Sequence, residues 1–132
     1  DISPEENQYE AGLNFAISFK KEINFIGKES LLKLKEKIHT RRFIMLSIVN
    51  SKPGAPLLLH EEPIYLKDKI IGRTTSGNYS FNYKKSLSFG YVNSDYSNKE
   101  LGKMDLYIEV AKIKYPVMVE AVPLKDKQTR LL

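Results

Sequence analysis

Few side chains in this sequence could do chemistry, and their spacing decides how little. His39 and His60 lie far apart, and only His60 has carboxylates beside it, Glu61 and Glu62. Three adjacent residues on one turn seldom converge on a single ion, so no metal site is expected. Thr74-Thr75-Ser76-Gly77 crowds hydroxyls against a glycine and invites a serine-nucleophile reading. No G-x-S-x-G elbow leads into a helix there, however, and no base accompanies it. Gly72 and Gly77 do not make a phosphate loop, because no Gly-Lys-Ser/Thr follows and the next element reads as a strand. There is no cysteine, which excludes disulfides, thiolate metal sites and a cysteine nucleophile, and fits a reducing compartment. Residue chemistry alone therefore expects no catalytic residues in this chain.

Charge adds little. The net charge of +5 and pI near 9.3 suggest a polyanion or a membrane surface. Yet only four of the 21 basic residues are arginine (Arg41, Arg42, Arg73, Arg130), the type that grips phosphate in a bidentate way. The lysines are scattered from Lys20 to Lys127 with acidic residues between them. A solvated lysine-rich surface is expected, with no nucleic-acid and no membrane partner. A basic barrel that stacks single-stranded bases on its tyrosines and phenylalanines is the competing reading.

The elements that would position these residues are mostly strands. At 132 residues the chain is one domain's worth with room for a core, and no apolar run approaches the roughly 18 residues of a membrane span. The start, DISPEENQYE, is acidic and polar, unlike a signal or transit peptide, and opens on Asp1 rather than Met, as a fragment or processed chain would. Leu13, Phe15, Ile17 and Phe19 alternate with polar or small residues and predict a strand over 12–19. Leu31, Leu34 and Ile38, spaced i, i+3, i+7 after Gly27, predict a short helix over 28–38. From Phe43 the pattern is β: 43–50 is strongly apolar, PIYL and KIIG flank a tight Lys67-Asp68-Lys69 turn, and 87–92 alternates. The stretch 104–121 is a hairpin turning near Ala111-Lys112, with Pro116 marking an edge strand or a bulge. Residues 93–103 read as the longest polar loop. The expected fold is mainly β: a small antiparallel, Greek-key-like barrel of about six to eight short strands, preceded by one strand and one short α-helix.

Seven segments, taken in order, carry a resemblance that single motifs do not. YEAGLNFAI (9–17), INFIGKESL (23–31), RRFIMLSI (41–48), EEPIY (61–65), IIGRTTSGNYS (70–80), SLSFGYV (86–92) and VPLKDKQTRL (122–131) resemble the C-terminal part of the glycine-cleavage T-protein family. That family includes folate-dependent aminomethyltransferases and the C-terminal portions of dimethylglycine and sarcosine dehydrogenases, and EAGL with FIGKESL leans towards the dehydrogenase branch. The resemblance implies a lead-in over 1–40 from a preceding folate-binding domain, a barrel over 41–123 and a tail over 124–132. It implies tetrahydrofolate as the parent protein's cofactor, FAD as well if the dehydrogenase branch holds, and the preceding domains of the same polypeptide as partner. The alternatives are a stand-alone aminomethyltransferase, a demethylase fragment, or a folate-binding accessory protein of tRNA modification. The implied compartment is cytoplasmic, or the mitochondrial matrix in a eukaryote.

The residues carried over are few. Arg42 matches the second arginine of the family's Arg-Arg pair near the folate site, Glu10 falls on the EAGL glutamate, and Arg130 lies in a tail that approaches ligand in the family. PLKDK departs from the family's PLYDP in that tail, at Lys125. The family's catalytic aspartate and main pterin contacts lie upstream, so the barrel is expected to pack over the folate channel without catalysing. In that frame Gly72, Gly77 and Gly90 serve tight turning and close strand approach, and Thr75 and Ser76 hydrogen-bond within a turn.

Overall fold

The structure, a computed structural model, describes residues 1–20, 23–93 and 95–120. After a one-turn 3-10 helix (Asn14–Ala16) and helix α1 (Lys28–Lys35), six strands follow: β1 (Arg41–Ile48), β2 (Pro63–Leu66), β3 (Lys69–Ser80), β4 (Lys85–Asn93), β5 (Leu106–Val110) and β6 (Ile113–Glu120). A four-residue helix, α2 (Asn98–Leu101), interrupts the connection from β4 to β5. The strands close into a barrel in the order β1-β4-β3-β2-β5-β6, and every pairing is antiparallel. β2, β3 and β4 form a meander and β5 returns to lie beside β2, which is the Greek-key order.

Alternation decides which residues fill the interior. Ile44, Leu46 and Ile48 of β1 share one face with Ile64, Val92, Leu106, Ile108 and Val117, and all are buried in one apolar cluster. Leu58 from the β1–β2 connection and Leu101 from α2 complete it. β3 and β4 meet so tightly that a Cβ on Gly72 would lie 2.0 Å from the Tyr91 carbonyl oxygen, and one on Gly90 2.6 Å from that of Arg73. The register shifts nearby, between Thr74 and Ser76, and again between Ile64 and Tyr65 in β2. Such bulges bend and coil strands enough for six of them to close. At the β1–β6 seam the Ser47 hydroxyl and the Lys85 ammonium both donate to Glu120 Oε1, at 2.6 and 2.9 Å. Burial pushes the Glu120 carboxyl up, but the two donors outweigh it and leave the group below its ordinary value.

Several expectations need correction. The alternating stretch 12–19 is not a strand: it holds the 3-10 turn, and Phe15 stands 83% exposed. A barrel that closes on itself leaves no strand edge for a seventh partner, so alternation there has nothing to pair with. Helix α1 stops at Lys35 rather than residue 38, because Ile38, at 92% exposure, finds no core to hold another turn. Gly27, at φ 87°, starts it. Thr75, Ser76 and Gly77 lie in the body of β3, the turn following at 81–84. There the Thr75 hydroxyl donates to Asp1 Oδ1 (2.6 Å), and Leu58 packs where a Gly77 side chain would stand. Pro116 marks a local edge and not a bulge: it is paired with Tyr107 of β5, without a register shift, while the pairing of β6 with β1 begins only at Val117. Its carbonyl accepts from Val49 just past the end of β1, so its missing N–H faces a place where the ladder has already ended. The polar loop at 93–103 contains α2, started by Ser97 and Glu100 exchanging side-chain and backbone hydrogen bonds. The Ala111-Lys112 turn is as expected: both residues have positive φ (50° and 65°), the geometry of a two-residue hairpin.

Adding a methyl group in the β3–β4 seam tests this packing. Gly90→Ala is expected to lower stability by about 1–3 kcal/mol as strands are forced apart, read as a lower urea midpoint. Gly12→Ala, where no atom stands within 4 Å of the added carbon, carries only the backbone cost of its φ of 73°.

Candidate functional site

Residues 1–13 lie against the outside of the barrel as a strap, and the side chains that hold it there define the candidate site. Two local hydrogen-bonded pairs shape the strap. Ser3 donates its N–H (2.8 Å) and its hydroxyl (2.6 Å) to Glu6 Oε2. The Asn7 N–H donates to Glu10 Oε2 (3.1 Å), while Asn7 Oδ1 accepts from the Glu10 N–H (3.1 Å). These are serine- and asparagine-x-x-glutamate boxes, a spacing legible in SPEE and NQYE that composition alone passes over.

Adjacent strand residues point to opposite faces, so Arg41 and Arg42 part company. Arg41 turns towards the strap: its Nη2 lies 2.7 Å from Glu6 Oε1, and its guanidinium sits 4.5 Å over the Tyr91 ring. Phe43 flanks the same ring (5.3 Å, tilted) and stacks on Phe89 (5.1 Å). The Phe43 N–H donates to the Glu10 carbonyl at 2.8 Å. Hydrogen bonds from the Ser3 side chain and backbone, then that from Arg41, bring the Glu6 carboxyl down to about 2. Tyr91 is buried, and its hydroxyl has no hydrogen-bond partner among the described residues. Burial, then the Glu6 charge, raise its pKa, so it stays a donor. The charge of Arg42 is felt instead at Glu100, whose carboxyl is lowered first by Ser97 and only then by Arg42.

The strap in turn positions an opening. Tyr9 donates its hydroxyl to the Leu31 carbonyl of α1 (2.9 Å) and stacks on His39 (5.2 Å), whose Nε2 lies 2.8 Å from the Leu34 carbonyl. Beside Tyr9 is a cavity of about 400 Å³ walled by Phe15, Phe19, Lys20 and Lys35 among others, with Lys35 Nζ 5.5 Å from the centre of the Phe19 ring. Aromatic faces beside two ammonium groups suit a flat ring system carrying carboxylates. A larger groove, about 540 Å³, runs along β3 between Arg41 and Arg73, but both arginines are met within the chain, Arg41 by Glu6 and Arg73 by Glu61 (4.0 Å).

The expected site residues are thus not gathered in one place. The Glu10 carboxylate is engaged by the Asn7 amide, Arg42 lies on the face away from the strap, and Arg130 falls outside the described residues. The Thr75 hydroxyl donates to the Asp1 carboxylate, which pins the strap, and the Ser76 carbonyl accepts from the Ser88 hydroxyl (2.9 Å). Glu62 beside His60 is taken up by the Leu59 N–H (2.7 Å) and the Thr74 hydroxyl. Among the described residues no three metal-ligating side chains cluster, and no helix is long and apolar enough to cross a membrane.

Comparison with known proteins places this geometry. The family model described as the glycine cleavage T-protein C-terminal barrel domain matches residues 41–126. An aminomethyltransferase of Listeria welshimeri is 34% identical over 119 residues, spanning 89% of this chain and 31% of the relative. The mitochondrial dimethylglycine dehydrogenase of Rattus norvegicus is 33% identical over 134 residues, spanning 99% of this chain and 15% of the relative. The crystal structure of the glycine cleavage system aminomethyltransferase T from Bartonella henselae superposes with a TM-score of 0.72 at 20% identity, over 93% of this chain and 33% of that one. At that identity the superposition speaks for the fold alone. The chain spans a third or less of the length of these relatives.

The Glu6 latch has a pH signature. A carboxyl with a depressed pKa contributes stability that is present above its unfolded value, 4.5, and is lost as pH falls towards about 2. Wild type is therefore expected to exceed Glu6→Gln in stability at pH 6 and to converge with it by pH 2. Thermal unfolding midpoints across that range measure the difference, and a gap that does not close on acidification contradicts the latch.

Proposed function

The chain belongs to the family of the glycine cleavage T-protein C-terminal barrel domain, and we propose that it serves this role in a folate-dependent, flavin-linked dimethylglycine or sarcosine dehydrogenase. The observation that carries the reading is the apolar surface left uncovered before the barrel. Phe15, Ile23, Ile26 and Ile38 are 75% to 104% exposed, an area that a free-standing domain rarely presents to water. Its occupant is the preceding part of the same polypeptide, since this chain accounts for only 31% and 15% of the two relatives' lengths. The Tyr9–Phe19–Lys35 opening shares Phe15 with this surface, and its rings and ammonium groups fit the aryl system and glutamate carboxylates of tetrahydrofolate.

Catalysis belongs upstream in this proposal. Glu6, Glu100 and Glu120 are held below their ordinary values by donors and cations, which makes them poor proton acceptors for amine chemistry. FAD, bound by an upstream domain, supplies the oxidation of the methylated amine. The one-carbon unit then passes to tetrahydrofolate as methylenetetrahydrofolate. The barrel packs over the folate channel, and Arg42, Glu10 and Arg130 are its folate-proximal candidates. The compartment follows from the same reading: cytoplasm, or mitochondrial matrix in a eukaryote. A second reading, a stand-alone aminomethyltransferase, has the 34% identical Listeria relative in its favour.

Full-length protein given dimethylglycine or sarcosine is expected to release less free formaldehyde when tetrahydrofolate is added. Release unchanged by tetrahydrofolate rejects the proposal, and purified protein without flavin absorbance shifts the choice to the aminomethyltransferase. In the isolated chain, Ile26→Lys and Ile38→Lys are expected to keep stability within about 0.5 kcal/mol while reducing self-association by light scattering. In the full-length protein the same changes are expected to speed proteolysis between the barrel and what precedes it.

A further inference from the structure

We infer that Arg41 is a positioning residue: by holding Glu6 it fixes the strap that carries Tyr9, and so sets the geometry and ligand affinity of the opening between Tyr9, Phe19 and Lys35. The inference rests on the tetrahydrofolate reading of that opening.

The walls of the opening come from the strap (Tyr9), the segment after it (Phe15, Phe19, Lys20) and α1 (Lys35), and none is a barrel residue. The barrel reaches them through the strap, which is tied at Thr75 by Asp1, at Phe43 by the Glu10 carbonyl, and at Arg41 by Glu6. Of these, the Arg41 tie is held most firmly at both ends. The Glu6 side chain is 7% exposed and Ser3 secures its second oxygen, while the guanidinium cannot swing away without leaving the Tyr91 face. From Glu6 the path is continuous. The Asn7–Glu10 box sets the turn from which Tyr9 projects, and Tyr9 binds the Leu31 carbonyl of α1 and stacks on His39, whose Nε2 meets the Leu34 carbonyl. α1 carries Lys35 to its place beside Phe19. Releasing Arg41 frees Tyr9 and Lys35 together, although neither touches it.

The test uses the full-length polypeptide with Arg41→Gln, Glu6→Gln, both together, and Arg41→Lys. Lys114→Gln is the matched control, because Lys114 also pairs with a carboxylate, Asp68 (3.6 Å), and also sits over a ring, Tyr65 (4.1 Å). Arg41→Gln is expected to raise KM for tetrahydrofolate about tenfold while kcat stays within about twofold. Glu6→Gln is expected to match it, and the double variant to be no worse than either single, as for two residues acting through one contact. Arg41→Lys should recover part of the loss and Lys114→Gln should change nothing. If Arg41→Gln fails to fold, Glu6→Gln and Arg41→Lys carry the same comparison. Faster amide exchange in residues 5–11 of Arg41→Gln without a rise in KM overturns the inference, as does an equal rise in Lys114→Gln. Should wild type turn over with no dependence on tetrahydrofolate, the proposed function falls and amide exchange at residues 14–20 decides alone. Faster exchange there in Arg41→Gln upholds the inference, and unchanged exchange overturns it.

Discussion

Two strands of this barrel, β3 and β4, approach so closely at Gly72 and Gly90 that backbone packs directly on backbone, and the rest of the molecule is arranged around that contact. Because no side chain separates the strands, the sheet can coil sharply, and the bulge at Thr74/Ser76 adds the remaining bend. A coil this tight brings β6 round to β1 after six strands. The interior is then small enough for Ile44, Leu46, Val92, Ile108 and their neighbours to fill. The opening beside Tyr9 lies outside the barrel, on surfaces that the preceding residues build.

Those surfaces depend on short polar pairs rather than on the core. The strap is shaped by Ser3–Glu6 and Asn7–Glu10 and pinned by Arg41, all of it on the outer face of β1 and β4. The large apolar residues that follow it are mostly turned to solvent. The molecule thus has a barrel stabilised by burial and a lead-in stabilised by hydrogen bonds and the Arg41–Glu6 ion pair. The opening beside Tyr9 belongs to the second part and inherits its position from the first.

Most of the barrel was legible because period-2 alternation has one physical meaning once a partner strand exists. The Ala111-Lys112 hairpin and the Lys67-Asp68 turn followed from it directly. The stretch 12–19 has the same alternation and is not a strand, since pattern cannot report whether a sheet edge remains to pair with. The site was less legible for a related reason. Arg41 and Arg42 are indistinguishable in sequence, and only the register against Asn93 and Val92 decides which of them meets Glu6. The S-x-x-E spacing at Ser3 and Ser97 was readable, but it was hidden in segments whose polarity reads as loop.

Closure has one more consequence. An open sheet offers a row of free amides and carbonyls at each edge, and any neighbour can attach itself by extending the ladder. Among the described residues each strand of this barrel has a neighbour on either side, so side chains on the outer face and the strap are its main means of joining other domains. Such a unit can be carried intact between polypeptides of very different size, which suits a domain that matches 31% of one relative and 15% of another. A change of host would require new surface residues at the strap and the lead-in, and no change in the register of a single strand.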